Sequence, residues 1–175
     1  MSYRYSPTAR ILHWLTVLLV AVMLGLGFAI VYVVPEHSPW SHRLFNTHES
    51  LGLVVLAVMI LRLLYRFADP PPPLPDAVPR VYHRAGHANH VLLYTLLIAQ
   101  PVIGLIGDNA SGFQLNWFDI APLPMVIGKH DALAQVMAAA HWYVGMAITL
   151  LVCAHIGGAL FHAVVRRDGV LQRMW

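Results

Sequence analysis

Four apolar stretches, each long enough to cross a bilayer, constrain this chain more than any other feature. A membrane-spanning helix needs about 20 mostly apolar residues. The first stretch, residues 11–34, carries no formal charge. The second begins near His48, is apolar from Leu51 to Leu61 and continues past Arg62 to about Phe67. The third covers roughly 90–107 and the fourth about 133–165. With their flanking turns the spans are expected at about 8–34, 48–67, 88–107 and 133–165, and Ser6-Pro7 supplies a capping residue followed by proline at the first helical position. Of the 175 residues 58% are hydrophobic and 11% charged, against about a quarter charged in a soluble domain. The expected fold is all-α: one integral membrane four-helix bundle over residues 1–175. A disordered chain and a large multidomain enzyme are excluded, and a single cysteine, Cys153, can form no internal disulfide.

The connections differ in character. Residues 35–46 read as a short loop. Residues 69–79, DPPPPLPDAVP, cannot form regular helix, because proline lacks the amide hydrogen and restricts its predecessor, so they form an extended linker. Residues 108–131 hold Phe113, Trp117 and Phe118 among polar residues, a composition suited to the membrane surface. Nine of the eleven cationic residues, Arg4, Arg10, Arg62, Arg66, Arg80, Arg84, Arg166, Arg167 and Arg173, flank the termini and the Pro-rich linker; only Arg43 and Lys129 fall in the other connections. The positive-inside rule then puts both termini and the linker on the cytoplasmic side. The same arginines account for the pI of about 9.3, which reflects topology and lipid contact rather than nucleic-acid binding. The 24-residue first stretch lacks a small-x-small cleavage site, which argues against a removable signal peptide.

Histidine is as frequent as Lys and Arg combined, 11 residues against 11. An ionisable residue within a span is costly and is by default a functional hypothesis. His141, His155 and His162 lie on the fourth stretch at spacings of 14 and 7, whole heptads, so they share one helix face. A rise of about 1.5 Å per residue separates His141 from His155 by about 21 Å. His141 is level with His48 on the second span, and His155 or His162 is level with His13 on the first. Two histidines facing each other from different helices can ligate a haem iron on both axial sides, and two such pairs hold two haems across the bilayer. Depth favours His162 as the partner of His13, whereas electron transfer between the two sites favours His155. Gly52 and Gly145, each four residues after a histidine, and Gly157 and Gly158 beside His155 would reduce bulk near a macrocycle. No C-x-x-C-H motif is present, so the haem would be b-type.

The segments RILHW around His13, NTHESLG around His48, HANHVLLYTLLIAQPVIGL in the third span, and AHWYVG and CAHIGG in the fourth resemble the bacterial cytochrome b561 family, stand-alone di-haem membrane cytochromes related to the cytochrome b subunits of formate dehydrogenases and nickel-iron hydrogenases. The resemblance covers nearly the whole chain. It implies a bundle enclosing two haem b groups in the bacterial inner membrane, with His48/His141 ligating the outer iron and His13/His155 the inner, and so selects His155. It also implies exchange of electrons with the quinone pool, ubiquinone included, and superoxide oxidation coupled to ubiquinone reduction is among the family's activities. The expected function is electron transfer between an outer-face donor, superoxide or a redox protein, and quinone. One alternative is a cytochrome subunit anchoring a dehydrogenase or hydrogenase. Another, from a different class, is a histidine-rich metal or proton transporter, although transport sites generally lie near mid-membrane.

The remaining chemistry-bearing residues are expected at the surfaces. His162 would meet a quinone or a haem propionate. His87 and His90, one turn apart near His83, would serve propionates or proton transfer at the start of the third span, with Arg62, Arg66 and Arg84 on the same surface. At the outer face His37, His42, Arg43, Lys129 and His130 could attract an anion, although Glu36, Glu49, Asp108, Asp119 and Asp131 surround them; Lys129 is the first candidate there. Gly25, Gly27, Gly104 and Gly107 read as helix-packing residues, Gln100-Pro101 as a kink, and Cys153 as inert packing. No P-loop, dinucleotide fingerprint, serine triad or zinc-type cysteine cluster is present.

Overall fold

The computed structural model describes residues 4–35, 37–75 and 78–175, so Glu36 and two positions of the Pro-rich linker lie outside the described residues. The chain forms α1 (Pro7–Tyr32), α2 (Ser41–Ala68), α3 (Arg80–Ser111), a two-residue antiparallel pair β1 (Asn116–Trp117) and β2 (Ala121–Pro122), and α4 (Asp131–Leu160). A π-helical turn, Phe161–Arg166, and a short 3₁₀ turn, Leu171–Met174, follow. The protein is thus an all-α four-helix bundle whose four long helices are apolar enough to cross a membrane.

Local chemistry sets the helix ends. The Ser6 hydroxyl accepts the Ala9 amide at 3.3 Å and Pro7 opens α1. His130 caps α4, with Nδ1 accepting the Leu133 amide at 3.1 Å, and Asp131 adds a favourable negative charge in the first turn. Gly112 ends α3 in the left-handed region at φ 87°. Two helices outrun their apolar stretches: α2 begins seven residues before His48, shortening the loop expected at 35–46, and α3 begins at Arg80 rather than near 88. Their extra turns are polar, and helical hydrogen bonding continues beyond the region where apolar side chains are required.

The buried core is narrow. Val20 of α1, Val55 and Met59 of α2, Leu93 and Leu97 of α3 and Ile148 of α4 meet in one cluster. Ile148 lies midway between His141 and His155 in sequence, so this waist separates two levels of the bundle. Large apolar side chains point outward along the helices, Leu18, Leu64 and Leu150 among them. Such a surface would be unfavourable in water and suits lipid.

Each end is tied by polar contacts. Away from the arginines, the loop after α3 is pinned to the helices. The Phe118 amide donates to Ser50 Oγ at 2.8 Å, Ser50 Oγ donates to Asn46 Oδ1 at 2.9 Å, and the Val126 amide donates to Asn109 Oδ1 at 2.8 Å. These bonds hold Phe118 and Asp119 at φ 49° and 58°, a conformation unusual for a phenylalanine. At the arginine-rich end the buried Arg173 guanidinium donates to the carbonyls of Pro72 and Pro73 and lies over the Tyr5 ring. Trp14 Nε1 donates to the Met174 carbonyl at 2.9 Å, fastening the last turn against α1.

Candidate haem sites

The histidines meet in two pairs, one above and one below the core waist. Away from the arginines, the His48 and His141 rings face each other from α2 and α4 with centroids 6.1 Å apart. At the other level His13 of α1 and His155 of α4 lie 6.2 Å apart. Metal–imidazole bonds of about 2 Å, extended to the ring centres, place two rings bound on opposite sides of one ion about 6 Å apart. Both spacings therefore fit a shared axial ion, and helices of different sequence position supply each pair.

The His48/His141 level has room for a large group. A cavity of about 430 Å³ lies between the helices, lined by both histidines and by Gly27, Gly52, Gly104 and Gly145, within the usual size range of ligand clefts. Nδ1 of His48 and Nδ1 of His141 are buried without a hydrogen-bond partner among the described residues. The glycines divide the work differently from the sequence expectation. A Cβ at Gly104 would lie 3.2 Å from His141 Cε1, and one at Gly27 would lie 3.5 Å from His48 Cε1. These two, expected to serve helix packing, are the ones that clear the histidine rings. Gly145 instead admits the Gln100 side chain, 3.3 Å from its would-be Cβ, and Gly157 and Gly158 face nothing within 4 Å.

The His13/His155 level is more polar. An Arg62 guanidinium nitrogen lies 2.8 Å from His13 Nδ1, and since guanidinium only donates, Nδ1 accepts. A neutral ring accepting there carries its proton on Nε2, so ligation through Nε2 requires that proton to leave or Arg62 to turn to another acceptor. Arg62 and Arg66 both lie over the Tyr94 ring. His90 joins this level, its ring 5.1 Å from His155. Its expected companion His87 is exposed, and so is Arg84; the structure separates residues that a one-turn spacing suggested would act together.

His162 does not extend the ligand face to His13. Its Nδ1 lies 2.7 Å from Asp168 Oδ2, which also accepts Arg166 Nε at 2.9 Å, and its ring packs against Tyr82. Burial acts to raise the Asp168 carboxyl, but the bonds from His162, Arg166 and the Val170 amide outweigh it and hold the carboxyl below its ordinary range. Lys129 packs its stem on Gly112 and lies 3.8 Å from Asp131, with both side chains exposed. His42 lies 3.8 Å from Asp119. Cys153 is exposed on α4. Among the described residues, no group of three or more His, Cys, Asp and Glu side chains could hold a metal ion.

Sequence reasoning missed Gly27 and Gly104 as residues that face the histidine rings, Asn89 and Gln100 as partners of the fourth helix, and Asp168 as the partner of His162. Only Gln100 carried a signal, as a polar residue inside an apolar span.

Comparison with known proteins agrees with the geometry. The family model described as prokaryotic cytochrome b561 matches residues 4–175. "Cytochrome b561 homolog 2" of Escherichia coli (strain K12) is 30% identical, over 98% of this chain and 90% of the relative. "Cytochrome b561 homolog 1" of the same organism is 29% identical, over 98% and 96%. "Probable superoxide oxidase CybB" of Yersinia pestis is 28% identical, over 99% and 97%. With four bilayer-length helices, facing histidines and a family match over nearly its whole length, this chain belongs to the prokaryotic cytochrome b561 family of b-type membrane cytochromes.

Proposed function

We propose that the protein carries electrons across the bacterial inner membrane between two haem b groups, one ligated by His48 and His141 near the outer face and one by His13 and His155 near the cytoplasmic face. The observation that carries this reading is the pairing of four histidines at two levels with centroid spacings of 6.1 and 6.2 Å. The arginine distribution supports both termini facing the cytoplasm. The iron would supply the one-electron chemistry, while the protein supplies ligands, an apolar sheath and the partners that orient each ring.

Electrons enter at the outer face and leave to quinone, ubiquinone in this reading, at the cytoplasmic face. Superoxide is the proposed donor, because a relative of similar length bears the name of a superoxide oxidase. At the cytoplasmic end Asp168 orients His162 through Nδ1, which leaves Nε2 to exchange a proton with a reduced quinone. His90, beside His155, is the second proton-handling candidate. Lys129 would attract superoxide at the outer face, although its proximity to Asp131 reduces the local positive charge.

An absorption spectrum with a pyridine haem assay tests the reading. Two b haems per chain are expected, falling to one in His141→Ala, and quinone reduction should require both superoxide and quinone. A colourless purified protein, or retention of both haems in His141→Ala, would overturn it.

A further inference from the structure

The third helix carries none of the four paired histidines, yet it packs more extensively on α4 than any other helix pair in the bundle. Two of its amide side chains explain why that contact matters. Gln100 Nε2 donates to the backbone carbonyl of His141 at 2.9 Å. Asn89 Nδ2 donates to the backbone carbonyl of Leu151 at 3.1 Å. Leu151 stands four residues before His155, so in the α-helical pattern its carbonyl is the one that receives the His155 amide. One brace therefore grips the backbone of His141 itself, and the other grips the peptide to which His155 is hydrogen-bonded.

The spacings show that these are two rungs of one ladder. Residues 89 and 100 are 11 apart, close to three full turns, and so share one face of α3. Residues 141 and 151 are ten apart on the antiparallel α4, about 15 Å against about 16 Å along α3. Each carbonyl has a second lone pair beyond its helical bond, and each amide uses it. The opposite atoms of the two amides, Gln100 Oε1 and Asn89 Oδ1, are buried without partners among the described residues, so the contact to α4 is what orients them. Gly145 leaves room for the Gln100 rung, because a Cβ there would sit 3.3 Å from Gln100 Nε2 and press on it.

We propose that Gln100 and Asn89 are positioning residues: from α3 each fixes the α4 backbone at its own level, Gln100 orienting His141 toward His48 on α2 and Asn89 orienting His155 toward His13 on α1. The proposal rests on the haem reading above. It differs from ordinary packing in being local to each level, with Gln100 acting on the His48/His141 centre and Asn89 on the His13/His155 centre. Both bonds lie partly buried between α3 and α4, and within a bilayer a freed amide would find few other partners.

The test is electron paramagnetic resonance of the oxidised protein, which reads the relative orientation of the two imidazole planes at each haem, with His141→Ala and His155→Ala used to assign the signals. Gln100→Met keeps length and removes the donor; it should shift the outer signal and speed loss of that haem about tenfold, leaving the inner signal in place. Asn89→Leu should do the reverse. Gly145→Ala, which presses on the Gln100 amide, should reproduce the outer shift alone and add nothing to Gln100→Met, and it reads the same rung should Gln100→Met not be recovered. Unchanged signals in these variants, or equal shifts of both signals in any one of them, would overturn the proposal. Wild-type protein without haem would instead overturn the reading on which it rests.

Discussion

The contact at Gly104 allows a graded test of the proposed His48/His141 site. A methyl group there would lie 3.2 Å from His141 Cε1 and 3.3 Å from its Nδ1, short of the 3.5–4.0 Å at which carbon atoms pack best by about 0.3 Å. His141 has little room to yield, because its backbone carbonyl is held by Gln100 and its ring faces His48. Overpacking of this kind costs about 1–3 kcal/mol, and the helix preference for alanine over glycine returns up to about 1 kcal/mol. A net loss of about 1–2 kcal/mol corresponds to about 5- to 30-fold weaker retention of a haem held by His48 and His141 in Gly104→Ala. Two companions set the scale. Gly27→Ala places its Cβ 3.5 Å from His48 Cε1, an ordinary contact, and Gly25→Ala meets nothing within 4 Å. Transfer of haem to an excess of apo-globin, followed optically, should rank release as Gly104→Ala fastest, Gly27→Ala slightly raised and Gly25→Ala unchanged. Equal release from Gly104→Ala and Gly25→Ala would refute the assignment of Gly104 to the histidine ring.

Other outcomes follow from the two ends of the bundle. The Asp168 carboxyl is held below its ordinary range, so its contribution is fully present above about pH 4 and fades as pH falls through the folded value. Protease sensitivity of the segment after α4 should therefore stay flat from neutral pH to about pH 4 and rise below it, whereas Asp168→Asn should be sensitive throughout. Arg173→Met removes the charged donors to the Pro72 and Pro73 carbonyls; a loss of about 1.5–3 kcal/mol should appear as a lower melting temperature and faster cleavage within the Pro-rich linker. Lys129→Ala should slow superoxide-driven reduction by less than about fivefold at low salt, since exposed ion pairs are worth at most about 1 kcal/mol. The difference should shrink at physiological ionic strength, and a salt-independent loss would point to a role other than attraction.

The helices and the histidine levels were legible because each leaves a periodic mark: a long apolar run, or a spacing of 14 that returns a side chain to one helix face. What escaped was set between helices. Gly27 and Gly104 look like packing residues in sequence, and only the approach of α1 to His48 and of α3 to His141 shows what they clear. Asn89 stands beside the conspicuous His90, and nothing in its neighbourhood tells that its amide reaches a carbonyl on another helix. His87 and His90 differ in exposure for a geometric reason. Three residues turn a helix by about 300°, which leaves the two side chains about 60° apart, enough at the rim of a bundle to point one histidine inward and leave the other exposed. The early starts of α2 and α3 were hidden because hydropathy reports where apolar side chains are required, and hydrogen-bonded turns continue past that limit.

The π-helical turn at Phe161–Arg166 makes the end of the fourth helix sensitive to chain length. A π turn accommodates one residue more than the α-helix around it, and one residue corresponds to about 100° of rotation. Deleting a single residue after His162 would restore regular helix and swing everything downstream by about that angle, carrying Arg166 and Asp168 together away from His162. The two histidine pairs would keep their register, because the rotation begins after them. In this part of the molecule side chains can vary wherever the contacts survive, but a one-residue gap would uncouple the arginine-rich end from a bundle that otherwise remained intact.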